Sequence, residues 1–361
     1  MKYRYYALKR ILLVIPTFLG VSLILWYLLI ELYNGDPLAP YISWLEALRL
    51  TPADRAALMH RYGLDRPWYE RYLQSVINIL QGNWGIAHIY GDQPVLPLVK
   101  RAFITTAEVG IYALILSLLI GIPLGIKSSI SSAKKDIYIT TSSLIGYAAP
   151  AFLVAIIIRS LIYEFFFYFA SRFHVSTLND FSFYTGRFNT KFFSYPDKLI
   201  FGLPTTGFIT FDSLFSLNIP LFVDSSLHMI GPIIVISIAL IPIIVKMTRH
   251  SMVDVLKQDY ILLAKSKGLK ERTILYRHAF RNALIPLLTI TAITFSTLLI
   301  SSIYTDIIFD YPGLGLFLYG GINFFDMPVF QGFITISALV FILFNLVVDL
   351  FYGIADPRIR I

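Results

Sequence analysis

The sequence predicts an all-α membrane protein with six transmembrane helices, both termini on the inner side and two long outer loops. Three observations carry that expectation. Hydrophobic residues make up 57% of the chain and charged residues 14%, well under the roughly 25% charged residues of a soluble domain. Six apolar stretches lie at about 11–30, 104–126, 137–158, 228–245, 283–303 and 329–350, close to the roughly 20 residues a helix needs to cross a bilayer. Basic residues are unevenly shared. Segments 1–10, 127–136, 246–284 and 353–361 hold 18 Lys and Arg in 68 positions, whereas 32–102, 170–227 and 309–328 hold 11 in 149. Lys and Arg concentrate on the cytoplasmic side, which places the first set of segments inside.

Each element has its own signal. Lys2, Arg4, Lys9 and Arg10 precede the first stretch, as in a signal peptide. Its apolar core is too long for one and no small-x-small cleavage site follows, so it reads as an uncleaved span. The fourth stretch is the shortest and contains Pro232 and Pro242, which makes it the weakest of the six. In the first outer loop, Thr51 and Pro52 open a helix and Gly63 is placed to end it. A second helix follows Pro67. Trp68, Tyr72, Leu73, Val76, Ile77 and Leu80 recur there at helical spacing, and Gly82 ends it. This amphipathic pair either packs on the outer ends of the bundle, at the interface, or meets an external partner. The outer loop at 171–227 has no repeat and no clear chemistry.

The inner segment 246–284 is the most informative. Residues 251–267 form a helical pattern without Gly or Pro. Gly268 breaks it, and a second short helix runs from about 270 to 282, with Ile274, Leu275 and His278 on one face. Glycine accepts the positive φ that such a corner needs. Two short helices at a glycine corner make a rigid knob that can seat in a groove of another protein. The alternative is a basic loop lying on anionic headgroups.

At these residues the chain resembles a known family. Asp259-Tyr260, Ala264, Lys267-Gly268-Leu269 and Arg277-His278-Ala279-Phe280-Arg281-Asn282-Ala283 are similar to the cytoplasmic coupling motif of binding-protein-dependent ABC permeases, in the dipeptide/oligopeptide/nickel branch. The likeness extends along nearly the whole chain. It includes Gly35-Asp36-Pro37, Gly63-Leu64-Asp65-Arg66-Pro67, Gly82-Asn83-Trp84-Gly85, Thr106-Ala107-Glu108, Pro150-Ala151-Phe152, Tyr311-Pro312-Gly313-Leu314-Gly315, Asn345-Leu346-Val347-Val348-Asp349-Leu350 and Asp356-Pro357-Arg358. Two features depart from it. The Glu-Ala-Ala opening of ABC permeases at large reads Leu262-Leu263-Ala264 here, and the 171–227 loop is longer than expected.

The resemblance implies a permease subunit of an ATP-driven importer in the cell membrane. It would pair with a second, similar permease, two cytoplasmic ATPase subunits and an external substrate-binding protein, among membrane lipids and with no nucleic acid. ATP and Mg would be bound by the partner subunits, and this chain would carry no cofactor. Asp259, Tyr260, Ala264, Lys267, Gly268, Leu269, Arg277, His278 and Asn282 would form the ATPase contact. Asp306, Asp310, Pro312 and Gly313 would face the binding protein. The expected organisation is a first span with its outer helical loop at 1–101, a permease core at 102–353 with the coupling motif at about 255–284, and a tail at 354–361. Of the substrates of the branch, peptides are the expected cargo, with oligosaccharides or nickel complexes as the alternative.

Other classes find less support. The chain has no cysteine, which excludes disulfides, a thiol nucleophile and a Cys metal site. Gly121-Ile122-Pro123-Leu124-Gly125-Ile126-Lys127-Ser128 approaches a phosphate-binding loop, but its glycine spacing is one residue short. The six histidines, His60, His88, His174, His228, His250 and His278, show no metal spacing. A secondary transporter remains the alternative of another class, distinguished by working without ATP.

Two readings concern the membrane interior. Thr294, Thr297, Ser301 and Thr305 share one face of the fifth stretch. They line a polar path or serve close helix packing. Arg159 lies within the third stretch, where a charge is expensive and needs a partner or a route to water. Glu108 lies at similar depth in the second stretch and is the expected partner. Glu164 is the rival, and snorkelling to the headgroups the alternative.

Overall fold

A computed structural model describes residues 2–27, 38, 41–42, 46, 48–173, 204–284, 286–287, 290–291, 294 and 302–355. The described chain is mostly helical. In order it comprises α1 (Lys2–Trp26), α2 (Pro52–Arg61), α3 (Trp68–Leu80), a strand pair β1 (Ile86–Ala87) and β2 (Gln93–Pro94), α4 (Val95–Ser129), α5 (Ala133–Ala148) and α6 (Ala151–Phe173). After a gap follow α7 (Ile209–Phe215), α8 (Ile219–Leu256), α9 (Asp259–Ser266), α10 (Glu271–Thr273, continued by a π turn Ile274–Ala279), α11 (Ile303–Ile308), α12 (Leu314–Asn323) and α13 (Met327–Ala355). The antiparallel strand pair, Ile86 opposite Pro94 and Ala87 opposite Gln93, is a small departure from the all-α expectation.

Four described helices, α1, α4, α8 and α13, are long and apolar enough to cross a membrane. The weakest of the expected spans is the longest helix. Residues 228–245 sit inside the 38 residues of α8, with Pro232 and Pro242 inside it. Membrane helices tolerate such prolines because neighbouring groups satisfy the freed carbonyls. At 1.5 Å per residue α8 is about 57 Å long, well beyond the roughly 30 Å hydrocarbon core. It therefore starts nine residues earlier than the sequence reading and absorbs 251–256, which the sequence assigned to the knob. The third stretch also differs. A single span at 137–158 is replaced by α5 and α6, broken where Ala149 turns extended (ψ 137°) before Pro150. Proline disfavours helical ψ in the residue before it. Most of the fifth stretch, 283–303, lies outside the described residues.

The core is the α4–α8 pair. Gly121 and Gly125 let these helices approach closely. A Cβ at Gly121 would come within 2.7 Å of Ile244, and one at Gly125 within 2.5 Å of Thr248 Cβ and 2.8 Å of the Val245 carbonyl. The near-miss phosphate loop is thus a small-xxx-small packing seam. Ser237 Oγ donates to the Ala113 carbonyl across the same pair at 3.1 Å. Around the same pair, Val109, Ala113, Met229, Leu240, Phe309 and Tyr311 close the core.

α1 packs along α13. Near its start, Arg10 pairs with Asp349 Oδ2 at 2.8 Å, close to the end of α13. At its other end Trp26 meets Tyr72 of α3 edge-on at 5.9 Å, and the Tyr72 hydroxyl donates to the Leu19 carbonyl at 2.8 Å. The α2 start matches its sequence signal: Thr51 and Asp54 form a reciprocal capping box. Gly63 and Gly82, at φ +66° and +81°, end α2 and α3 as expected.

Candidate functional site

The knob forms at the end of the α8 extension. α8 stops at Leu256, and α9 runs over only eight residues. Its inward residues, Ile261 and Ala264, stand three apart on one face and pack against Met252, Ile274, Leu275, Ala279 and Ile126. Gly268 then takes φ +70°. The Gly268 and Leu269 amides bond back to the carbonyls of Lys265 (2.9 Å) and Ala264 (3.4 Å), which satisfies the free carbonyls of the α9 end. Asn282 Nδ2 donates to the Tyr260 hydroxyl at 2.6 Å, joining the far side of the corner to the start of α9.

Of the expected contact residues, Asp259, Tyr260, Lys267, Gly268, Leu269, Arg277 and Asn282 are exposed on this knob, His278 is half-buried and Ala264 faces inward. The sequence reading missed the most exposed apolar side chains. Leu262 is 66% exposed, Leu263 57% and Tyr276 53%. The Leu262-Leu263 pair stands where the family's usual opening differs. It gives the knob an apolar face flanked by Lys265 and Lys267.

A second feature fixes the knob to the bundle. Arg249, on the α8 extension, grips Asp136 at the start of α5: Nε donates to Oδ1 at 2.6 Å and Nη2 donates to Oδ2. Ser128, at the end of α4, donates to the same carboxylate. Three helices therefore meet at one side chain. The guanidinium and the Ser128 hydroxyl hold the Asp136 carboxyl down to about 2. The only sequence signal was that Asp136 is the one acid in the short basic segment 127–136.

This clamp predicts a pH dependence. The folded pKa lies below the ordinary value of about 3.9, so the clamp stabilises fully above pH 4 and is lost as pH falls from about 4 to about 2. Arg249→Gln should flatten the decline of the thermal midpoint across that window. Asp136→Asn and Arg249→Gln should lose less together than the sum of their separate losses. Additive losses would show that the pair does not act as a unit.

The opposite end of the α4–α8 pair carries a matching set of buried polar contacts, which explains Thr106-Ala107-Glu108. The Thr106 hydroxyl donates to Asp306 Oδ2 at 3.2 Å and accepts from the Leu314 amide at 2.8 Å. The Gly315 amide donates to the same Asp306 oxygen at 2.9 Å. Two residues on, the fully buried Glu108 caps α7: it accepts from the amides of Ile209 (3.1 Å) and Thr210 (2.9 Å) and from the Thr210 hydroxyl (2.6 Å). A carboxylate at a helix start meets unpaired amides and the positive end of the helix dipole. The loop that showed no chemistry in sequence thus contributes a docked helix. Asp212 within α7 accepts from Thr206 and Gly207 in turn.

These contacts replace the expected Glu108–Arg159 pair and bear on two other groups of expected residues. No ion pair among the described residues joins Glu108 to Arg159. The Arg159 guanidinium donates to the Ile308 carbonyl, because α6 packs against α8 and α11 rather than along α4. Glu164 is exposed. Asp306 and Gly313 are buried inside the α11–α12 turn and hold it together, whereas Asp310 and Pro312 are exposed. A Cβ on Gly313 would lie 2.4 Å from both Asp306 Oδ2 and Thr106 Oγ1. Of the polar-path residues, Thr305 is buried, Thr294 is half-buried, and Thr297 and Ser301 lie outside the described residues.

Comparison with known proteins agrees with this architecture. The chain is 35% identical over 98% of its length to the di/tripeptide transport system permease protein DppB of Pseudomonas aeruginosa, covering 97% of that protein. It is 33% identical to the dipeptide transport system permease protein DppB of Escherichia coli K12, with 98% of each chain covered. It is 31% identical to the oligopeptide transport system permease protein AppB of Bacillus subtilis, with 98% of this chain and 99% of that protein covered. Residues 113–361 match the family described as the binding-protein-dependent transport system inner membrane component. With its long apolar helices, the chain is a multi-pass cell-membrane protein and belongs to that family.

Proposed function

We propose that this chain is the permease subunit of an ATP-driven peptide importer, forming half of the translocation pathway. The observation that carries this reading is the α9–α10 knob: an exposed apolar face, held rigid by Gly268 and by the Arg249–Asp136 clamp, at the end of a helix too long for the membrane. Such a knob can seat in an ATPase cleft and pass its movement to α8, α4 and α5 together. This is rigid-body switching between two states, biased by ATP on one side and by a loaded binding protein on the other. ATP hydrolysis resides in the partner subunits, with a second permease completing the pathway.

The reading includes six spans with both termini inside. The Arg10–Asp349 pair supports it, since it brings the start of α1 beside the end of α13. The Arg249–Asp136 pair likewise supports a common side for 127–136 and the knob. Peptides are favoured over oligosaccharides and nickel complexes because the relatives above are named for peptide transport. The exposed Asp310 and Pro312 are the residues of the α11–α12 turn offered to the binding protein.

The test is uptake into proteoliposomes holding the assembled transporter. Labelled dipeptide should accumulate only with ATP inside the partner compartment and binding protein outside. Uptake driven by an ion gradient without ATP would favour a secondary transporter and sink the proposal.

A further inference from the structure

A cavity of about 550 Å³ opens between α2, α3, the turn before β1 and α13. Its walls are unequal in charge. Arg61, Arg66 and Arg71 line it, and Glu70 is the single acid among the described lining residues. His60 and His88 also line it, each bonded at 2.8 Å to an aspartate, Asp65 and Asp92. The cavity thus carries a surplus of guanidinium groups, which match phosphate oxygens in pairs.

The cavity does not end in polar surface. Trp26, Ser75, Ile79, Gln331 and Thr335 line both it and a narrow crevice of about 40 Å³ between α1, α3 and α13. Phe18, Leu25, Ile334 and Ala338 make the crevice walls apolar. The level in the membrane follows from α3. Its Tyr72 and Val76 pack inward on Trp26, while Leu73, Ile77 and Leu80 are exposed. A helix with apolar residues on its outer face beside two spans lies in the interface, where headgroups and acyl chains meet.

We propose that this paired cavity and crevice binds one anionic phospholipid of the outer leaflet, its phosphate against Arg61 and Arg66 and the first carbons of one acyl chain in the crevice. The position gives the lipid a structural consequence: it fills the seam between α1–α3 and α13. The proposal rests on the outer placement of α2 and α3 given above, but its test reads lipid directly and is independent of transport.

The test is native mass spectrometry of the purified full chain in detergent, titrated with phosphatidylglycerol or phosphatidylcholine of identical acyl chains. Wild type should retain one phosphatidylglycerol about thirtyfold more tightly than phosphatidylcholine, as expected for two arginines near a lipid surface. Arg61→Gln with Arg66→Gln should lose that preference while keeping an unchanged melting temperature. Ala338→Leu, which fills the crevice and leaves the arginines in place, should weaken both lipids. Glycerol phosphate, which has no tail, should not displace the lipid. An undiminished preference in the double arginine variant, equal binding of both lipids to wild type, or full retention in Ala338→Leu would each overturn the proposal.

Discussion

Gly125→Leu is expected to abolish the folded, monodisperse protein. At this position α4 and α8 approach so closely that a single added carbon would meet Thr248 Cβ at 2.5 Å and the Val245 carbonyl at 2.8 Å. A flexible side chain can move aside, but a helix backbone cannot without parting the pair. Overpacking of this kind costs typically 1–3 kcal/mol, and about 3 kcal/mol or more where backbone must shift. Here the shift would propagate, because the same two helices carry Glu108 and Thr106 at one end and Ser128 and Arg249 at the other. The control is Gly20→Val in α1, where a Cβ meets nothing within 4 Å. Size-exclusion profiles and thermal midpoints in detergent should separate the two: a lost or aggregated peak for Gly125→Leu and a wild-type peak for Gly20→Val. A wild-type midpoint for Gly125→Leu would show that the helices do not pack as described.

Gly268→Val should instead leave insertion and folding intact and lower ATP-driven uptake by at least about tenfold. Nothing lies within 4 Å of a Cβ placed at Gly268, so crowding is not the cause. The cause is backbone conformation. Gly268 holds φ +70°, and a left-handed conformation costs other residues about 1–2 kcal/mol, most of all a β-branched one. That is enough to shift a corner between geometries by about tenfold. The effect should be graded, with Asn milder than Ala and Ala milder than Val, since Asn tolerates this region best. If Gly268 merely ends a surface helix, all three variants transport normally.

The legible parts of the fold are those written in local chemistry. Thr51 and Asp54 announce a capping box. Gly63, Gly82 and Gly268 announce positive φ, and each adopts it. Apolar length announces the long helices α1, α4, α8 and α13. What escaped is azimuth: which way a helix face turns and which helix stands between two others. Glu108 and Arg159 were matched by depth alone, but α6 lies against α8 and α11, and Glu108 turns to a helix from a loop without pattern. Thr106, Asp306 and Gly313 meet through contacts some 200 residues apart in the chain, so spacing could not pair them. Gly121 and Gly125 show the converse case. Their spacing suggested a failed nucleotide loop, while their role is helix packing, visible only once α8 is in place. Pro232 and Pro242 lowered the standing of a span that tertiary contacts make the central one. Pro150 did signal a break, and the sequence reading ran through it.

The central claim is that the α9 knob is the mechanical contact with the ATPase subunits. The chain has no native cysteine, so a single cysteine reports one place. Leu262→Cys, on the exposed apolar face of the knob, should be labelled with a short maleimide–benzophenone, whose photoactivated ketone inserts into nearby C–H bonds, and irradiated in the assembled transporter. Leu80→Cys, exposed at the end of α3, serves as the comparison. Leu262→Cys should form a covalent adduct of one permease with one ATPase subunit, at a yield that changes when ATP is bound and hydrolysis is blocked, and Leu80→Cys should form none. The absence of an ATPase adduct from Leu262→Cys in either nucleotide state, with the complex still intact on gel filtration, would contradict the account.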